Sequence, residues 1–365
     1  MSGSINATGQ SGYGVMNVLI ANAATVSQKL DTLTNQVSTG LIGTTYAGLG
    51  AGAQVSLDLS PQIAHANTWS ANIDAADGNM QITQTAMARI QQIANNFYGQ
   101  MPNLSGMTSS EVDNVAAEAR GALQQVAEML NSQNGNTYVF AGQDSANPPV
   151  PNPDSILTSG FYTQINAAVA ALGTNGAAAT VASTLAIAGS NAAGTSPFSA
   201  SQSQPAATLQ AQIPTVSIGQ GSSVAVGLLA SANASVTSTG TSTTGSYMRD
   251  LMRGLATIGS LSSSQVGLSG YTGLISDTTT SLGNAITAMA SDAGNLGYTQ
   301  ANLTATQTTL ADTVTALTAQ VSSAQDVNMA ATLSHLQLVQ TQLQSSYQLI
   351  ANYSNLSLVK FLPMA

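Results

Sequence analysis

One stretch decides the fold: residues 275–324 read ISDTTTSLGNAITAMASDAGNLGYTQANLTATQTTLADTVTALTAQVSSA. An apolar residue returns at every seventh position of this stretch, namely at Ile275, Leu282, Met289, Leu296, Leu303, Leu310, Leu317 and Ala324. This heptad spacing keeps one helix face apolar along its whole length, so it predicts a long helix with coiled-coil packing. Gly283, Gly294 and Gly297 each weaken a helix by about 1 kcal/mol relative to Ala. The pattern therefore admits a kink or a break near Gly294.

Both ends of the chain carry shorter apolar seams. The first alternates steps of three and four residues from Met16 to Val37, and Gly40 then predicts the end of the helix. After Ala324 the register changes, and Met329 begins a second seam. Because a bundle that closes its own core seldom leaves seams at its two chain ends, these seams favour packing between copies. The predicted assembly seam consists of Met16, Leu19, Val26, Leu30, Leu33, Val37, Leu333, Leu336, Leu343, Tyr347 and Ile350.

Two further helices are predicted between these ends. One follows the apolar run from Ile73 to Phe97, after which Pro102 and Gly106 interrupt the pattern. The next opens at Thr108 with Glu111 three residues on, which is the spacing of a capping box. We expect the 275–324 column to pack inside the chain against these two helices.

The segment 145–245 has a different composition, rich in Ser, Thr, Ala, Gly and Pro. The run NPPVPNP at 147–153 predicts a stiff, non-helical exit from the preceding helix. Apolar residues on either side of GQGSS at 219–223 predict a β-hairpin with a glycine-containing turn. We interpret this segment as a separate, partly β domain.

The predicted fold is mainly α with an inserted β-containing domain, and the N- and C-terminal halves form a long antiparallel coiled-coil rod. The predicted divisions are an N-terminal assembly helix (1–44), the N-terminal half of the rod (45–144), the insert (145–245), the C-terminal half of the rod (246–325) and a C-terminal assembly helix (326–365).

Charge is scarce, since only 6% of residues are Asp, Glu, Lys or Arg and the net charge is −9. With six basic residues spread along the chain, the sequence argues against nucleic-acid binding. The absence of cysteine removes disulfides and thiolate chemistry. No uninterrupted apolar run is long enough to predict a membrane span, and the first basic residue, Lys29, stands on the wrong side of the early apolar stretch for a secretory signal.

The sequence offers few candidates for chemistry. His65 and Trp69 share a helix face, and Asp74 and Asp77 stand three apart, but solvated or packed helix positions explain both pairs better than a site does. The glycine-rich GLGAG at 48–52 lacks the Lys of a phosphate loop, so we interpret it as a turn. We predict no catalytic residue, no cofactor-binding residue and no metal ligand, and therefore no enzyme. An enzyme or ligand-binding protein would need a clustered polar site.

Four stretches resemble the bacterial flagellin superfamily. They are LTNQVSTGLIGTTYAGLGAGAQVSLDL (33–59), ANIDAADGNMQITQTAMARIQQIA (71–94), NGNTYVFAGQDS (134–145) and DVNMAATLSHLQLVQTQLQSSYQLIANYSNLSLVKFL (326–362). The third is most similar to the flagellar hook-filament junction members. TYAGLGAGA at 45–53 also replaces an aspartate-rich stretch that is common in flagellins, which favours the junction type or a divergent flagellin.

The resemblance implies a secreted, structural flagellar subunit of the hook-filament region, whose terminal helices line the inner tube of the flagellum. It implies as partners copies of the chain, other hook-associated proteins, flagellin, and a cytoplasmic export chaperone on the C-terminal helix. The filament flagellin itself stays open as the alternative. For either type of subunit, we expect residues 1–40 and 330–365 to fold on assembly.

Overall fold

The computed structural model describes residues 9–232 and 236–355. Its α-helices are α1 (Gly9–Thr39), α2 (Tyr46–Leu49), α3 (Gly52–Leu104), α4 (Ser109–Leu130), α5 (Gly160–Ala170), α6 (Leu172–Gly189), α7 (Ala206–Gln210), α8 (Tyr247–Gly259), α9 (Tyr271–Gln325) and α10 (Met329–Asn355). Its strands are β1 (Gln133–Asn134), β2 (Thr137–Tyr138), β3 (Thr215–Gly219) and β4 (Ser222–Ala225). The prediction of a mainly α fold with a β-containing insert is therefore confirmed.

The chain forms two compact units. Unit 1 contains Met1–Ala66 and Asp312–Ala365, and unit 2 contains Asn67–Ala311. Unit 1 therefore takes α1, α2 and α10, and each unit takes part of α3 and α9. The five predicted divisions of the chain stay a prediction.

In unit 1, α1 and α10 pack against each other. The links that follow α1 and precede α10 are paired by an antiparallel bridge between Leu41 and Asp326. Ile42 N donates to Gln325 O at 2.7 Å, and Val327 N donates to Gly40 O at 2.9 Å. Gly40 has a φ of +74°, a conformation that glycine adopts without a steric cost. The helix end predicted at Gly40 is confirmed, because α1 ends at Thr39.

In unit 2, one apolar core joins α3, α4, α8 and α9. Its fully buried members include Met87 and Ile90 on α3, Leu123 on α4, Leu251 on α8 and Leu282 on α9. The column Ile275, Leu282, Met289, Leu296 and Leu303 is buried as predicted. The packing of this column inside the chain is thus confirmed as far as Leu303.

Helix α9 runs without interruption through Gly283, Gly294 and Gly297, so the break admitted near Gly294 does not occur. The free energy gained by packing this column against its neighbours exceeds the roughly 1 kcal/mol that each glycine costs the helix. Helix α3 ends at Leu104, between Pro102 and Gly106, the two residues that were predicted to interrupt it.

The capping box predicted at Thr108 is confirmed. Thr108 N donates to Glu111 Oε2 at 2.7 Å, and α4 begins at the next residue. Two backbone donors at a helix start would otherwise lack partners, and this exchange satisfies them.

The predicted β-hairpin is also confirmed. Strands β3 and β4 pair antiparallel, with Val216 opposite Val224, and the turn between them includes Gly221 at a φ of +74°. The rest of the described part of 145–245 contains the helices α5, α6 and α7, joined by turns and irregular segments. Phe161 and Ile165 on α5 belong to the same core as α4 and α8, so this segment shares the core of unit 2.

Candidate functional site

The predicted assembly seam lies in unit 1. Its six α1 members, Met16, Leu19, Val26, Leu30, Leu33 and Val37, are all half-buried. On α10, Leu336, Leu343 and Ile350 are half-buried, whereas Leu333 and Tyr347 are 44% and 55% exposed. Nine of the eleven predicted residues are therefore half-buried, on two helices that pack against each other, and two are exposed.

The inward face of α10 differs in part from the predicted seam. Its buried or half-buried positions are Thr332, Leu336, Val339, Leu343, Ser346 and Ile350, which alternate steps of four and three. Sequence analysis missed Thr332, Val339 and Ser346. Two of these three are polar, so hydrophobicity alone gave no signal for them, but the regular spacing did.

Unit 1 has little core of its own. Among the described residues, its buried apolar side chains are Ala23, Leu49, Ala66 and Val339. Three of the four are small or short, so unit 1 removes little apolar area from water. Most of its apolar side chains are only half-buried or exposed.

Unit 1 carries most of the large apolar side chains that are exposed in the described part of the chain. Of fifteen such residues in the described chain, thirteen belong to unit 1, which is about a third of the chain: Val15, Val18, Ile20, Ile42, Tyr46, Val55, Leu57, Met329, Leu333, Leu338, Tyr347, Leu349 and Tyr353. We call this set the exposed apolar surface of unit 1. Scattered single residues need no explanation, whereas a contiguous patch of such residues would mark an interaction surface.

The glycine-rich stretch at 48–52 runs from the last two residues of α2 through a two-residue turn to Gly52, the first residue of α3. A Cβ on Gly52 would collide with the carbonyl oxygen of Ala324, and a Cβ on Gly43 would lie 2.6 Å from the Gly48 carbonyl carbon. These glycines allow backbone to pack on backbone. The interpretation of GLGAG as a turn agrees with these close approaches.

The paired aspartates make structural hydrogen bonds. Asp77 accepts from Gln300 Nε2 at 2.6 Å, and Asp74 accepts from Gln307 Nε2. These bonds join α3 to α9 inside unit 2. His65 and Trp69 both lie on α3, where His65 is exposed and Trp69 is half-buried. In the described part of the chain, nowhere do three or more His, Asp or Glu side chains come together in a way that could hold a metal ion.

A buried polar cluster on α8 was missed by sequence analysis. Arg249 donates to Ser231 O at 3.0 Å and to Ala188 O at 3.0 Å, while its guanidinium lies 5.2 Å from the ring centroid of Phe198. Burial lowers the pKa of Arg249, which the neighbouring carboxylate of Asp250 opposes. The sequence signal was the pair of arginines in RDLMR, in a chain with only six basic residues.

Two more groups complete this polar interior. Arg253 pairs with Asp277 at 3.2 Å, and Tyr247 donates its hydroxyl to Asp292 at 2.9 Å. Burial raises the pKa of Tyr247 well above its usual value, and the charge and hydrogen bond of Asp292 add to this. Every one of these groups is held by another group of the same unit, so the cluster anchors α8 and offers no free nucleophile or base.

Every helix in the described ranges is too short or too polar for a bilayer span.

The turn-and-strand motif NGNTYVFAG contains β1 and β2 with Gly135 at a φ of +60° in the turn, and Phe140 after it is fully buried. The closing stretch LSLVKFL, which carried part of the resemblance, lies outside the described residues.

The geometry of the C-terminal helices agrees with a comparison to known families. Residues 279–362 match the family model of the bacterial flagellin C-terminal helical region. The match covers most of α9 and all of α10, and it supports the bacterial flagellin superfamily. At the level of the family, the match supports a structural flagellar subunit. No curated protein matches the chain.

Proposed function

We propose that this protein joins the flagellar hook to the filament, by helical self-assembly of its terminal helices. The exposed apolar surface of unit 1 carries this proposal. A full burial of one Val, Leu or Ile side chain stabilises by about 1.5–3 kcal/mol. The thirteen exposed residues, nine of which are Val, Leu or Ile, lie on a unit whose described part has four buried apolar residues, so contact between copies supplies the burial that unit 1 lacks.

The seam residues take part in this assembly at two levels. The nine half-buried residues hold α1 and α10 together within one subunit, and Leu333 and Tyr347 meet neighbouring subunits. Low charge assists, because uncharged surfaces pack without the cost of desolvating ions. The terminal helices gain most of their stability on assembly, as expected for helices whose packing faces are incomplete.

The partners proposed are copies of the chain, other hook-associated proteins and flagellin, with an export chaperone on the C-terminal helix before assembly. The junction type is supported by the resemblance of NGNTYVFAG at 134–142 and by the missing aspartate-rich stretch at 45–53. The filament flagellin is the second candidate, which the match at 279–362 favours equally.

A deletion strain separates the two candidates. For a junction subunit we expect an intact hook, no filament and monomeric flagellin shed into the medium. Full-length filaments on the deletion strain would reject the junction role. Loss of the filament without shed flagellin would favour the filament subunit.

A surface variant tests the assembly face. Leu338 and Leu349 are each 58% exposed, so Leu338→Ser with Leu349→Ser should leave folding of the monomer unchanged. We expect this variant to be exported and to fail to restore filaments. Tyr298→Ser is the matched control, because Tyr298 is 71% exposed and lies in unit 2. Equal filament growth in both variants would contradict the proposal.

A further inference from the structure

Unit 2 has a groove that nothing described above uses. It has a volume of about 490 Å³, and it is lined by Gly78, Gln81, Ile82, Thr85, Ala86 and Arg89 of α3, by Met129 and Ser132 at the end of α4, and by Asn134 of β1. Ile82 and Met129 form an apolar wall at the edge of the core. Its size suits a few side chains or a short loop.

The hairpin is held close to α3 at this groove. Asn134 Nδ2 donates to Asn79 Oδ1 at 2.9 Å, and a Cβ on Gly78 would lie 3.2 Å from the same nitrogen. A glycine inside a helix costs about 1 kcal/mol relative to Ala. Here it allows β1 to approach α3, so the wall of the groove is fixed by packing and a hydrogen bond.

Arg89 is the charged group of the groove. It is exposed, and it makes no hydrogen bond or ion pair with any described residue. The other three arginines of unit 2 are engaged: Arg120 donates to Gly259 O at 2.7 Å, Arg249 to carbonyl oxygens, and Arg253 to Asp277. A free guanidinium beside an apolar wall is complementary to a carboxylate with an apolar neighbour.

A second copy of this chain supplies such carboxylates, because the net charge is −9. Among the described residues of unit 2, the exposed carboxylates that make no hydrogen bond are Glu118, Glu128 and Asp154. The first two lie on α4, and a helix about 10–12 Å across does not enter a groove of this size. Asp154 lies in a turn.

The Asp154 turn is stiff and prominent. Pro151 and Pro153 restrict its backbone, Ile156 N donates to Pro153 O at 3.2 Å, and Gln124 Nε2 donates to Asp154 O at 3.0 Å. Pro151, Asp154 and Ser155 are exposed. A segment that is already ordered loses less entropy when it binds.

From the unpaired charge of Arg89 and the exposed carboxylate of Asp154 on an ordered turn, we infer that the groove around Arg89 receives the Asp154 turn of a second copy of this chain. Arg89 pairs with Asp154, and Pro151 packs on Ile82 and Met129. This inference rests on the proposed function, since it adds to the terminal helices a second contact between subunits. It locates that contact in unit 2.

Charge reversal tests the pair. We expect Arg89→Asp and Asp154→Arg each to reduce self-association of the purified full-length protein roughly tenfold in sedimentation experiments, and the double reversal to restore it. Each single variant should melt at the wild-type temperature, because neither side chain has a partner within its own chain. Glu118→Arg is the matched control and should assemble normally.

Cross-linking tests the contact directly in a chain without natural cysteines. Thr85→Cys lines the groove and Ser155→Cys adjoins Asp154, so the double variant should give cross-linked dimers and longer chains with a short bismaleimide. Thr85→Cys with Ala117→Cys on the exposed face of α4 should not.

A cross-link from position 85 to a different flagellar protein, or equal yields from both cysteine pairs, would overturn the inference. So would single reversals that assemble like the wild type. If the wild-type protein itself stays monomeric at high concentration, the proposed function fails and the inference with it. If the wild type assembles and the reversals do too, only the inference fails.

Discussion

Replacing Arg253 by Met is the sharpest test of the interior of unit 2. The side chain of Arg253 is 2% exposed, and it donates to Asp277 Oδ2 at 3.2 Å, to Thr184 Oγ1 at 3.3 Å and to Ser242 O at 3.0 Å. Its Nε has no partner. The substitution keeps an unbranched, flexible side chain and removes the guanidinium with its charge.

The magnitude follows from what is left behind. Breaking a buried ion pair by removing one partner costs about 3–5 kcal/mol. Asp277 is 16% exposed and keeps the hydrogen bond from the Ser242 hydroxyl, so the lower end applies. We expect Arg253→Met to lower the free energy of unfolding by about 3 kcal/mol. For a unit of this size the melting temperature should fall by about 6–12 °C.

The assay is urea and thermal unfolding, followed by circular dichroism. Arg253→Met with Asp277→Leu removes both charges, and it should recover most of the loss, to within about 1 kcal/mol of the wild type. Arg89→Met is the control, because an exposed arginine without a partner should change stability by less than about 0.5 kcal/mol. This reasoning would be refuted if Arg253→Met lowered the free energy of unfolding by less than about 1 kcal/mol. It would also be refuted if the double variant were less stable than Arg253→Met.

Three other outcomes follow from particular contacts. Gly254→Ala should destabilise unit 2 by about 1–3 kcal/mol, because overpacking strains a closely packed core. The new Cβ would lie 2.8 Å from Leu282 Cδ2. Unchanged urea unfolding would contradict this prediction. Stability should fall as the pH rises above the usual tyrosine pKa of 10.0, since folded Tyr247 keeps its proton when the unfolded chain loses it, and Tyr247→Phe should flatten that slope in thermal melts. Hydrogen bonds from Thr108 lower the pKa of Glu111, so the capping box adds stability above about pH 4.5 that is lost on acidification. Glu111→Gln should abolish this pH dependence of stability. If Glu111→Gln and the wild type lost stability in the same way on acidification, the prediction would be wrong.

The helices follow closely from the sequence. A heptad repeat over 275–324 specifies α9, because each seventh residue returns to the same helix face. The capping box at Thr108 and the turn glycines of the β3–β4 hairpin are local devices, whose partners lie within a few residues. Such features are readable without knowledge of the tertiary structure.

The sequence also predicted an assembly function for the chain ends, since both terminal seams are periodic and apolar. It did not decide which side of α10 turns inward. Leu333, Leu338 and Leu349 are as hydrophobic as Leu336 and Leu343, yet the first three are exposed. Periodicity shows where apolar residues lie on a helix, but only the position of the partner helix selects the face that it buries.

The tertiary structure alone revealed the polar interior and the groove. Arg253 finds Asp277 twenty-four residues away and Thr184 sixty-nine residues away, and Arg249 caps carbonyl groups of α6 and its following loop. The groove joins α3 to a hairpin about fifty residues further along the chain. Contacts across such distances depend on where whole elements pack, and no local pattern of residues encodes that.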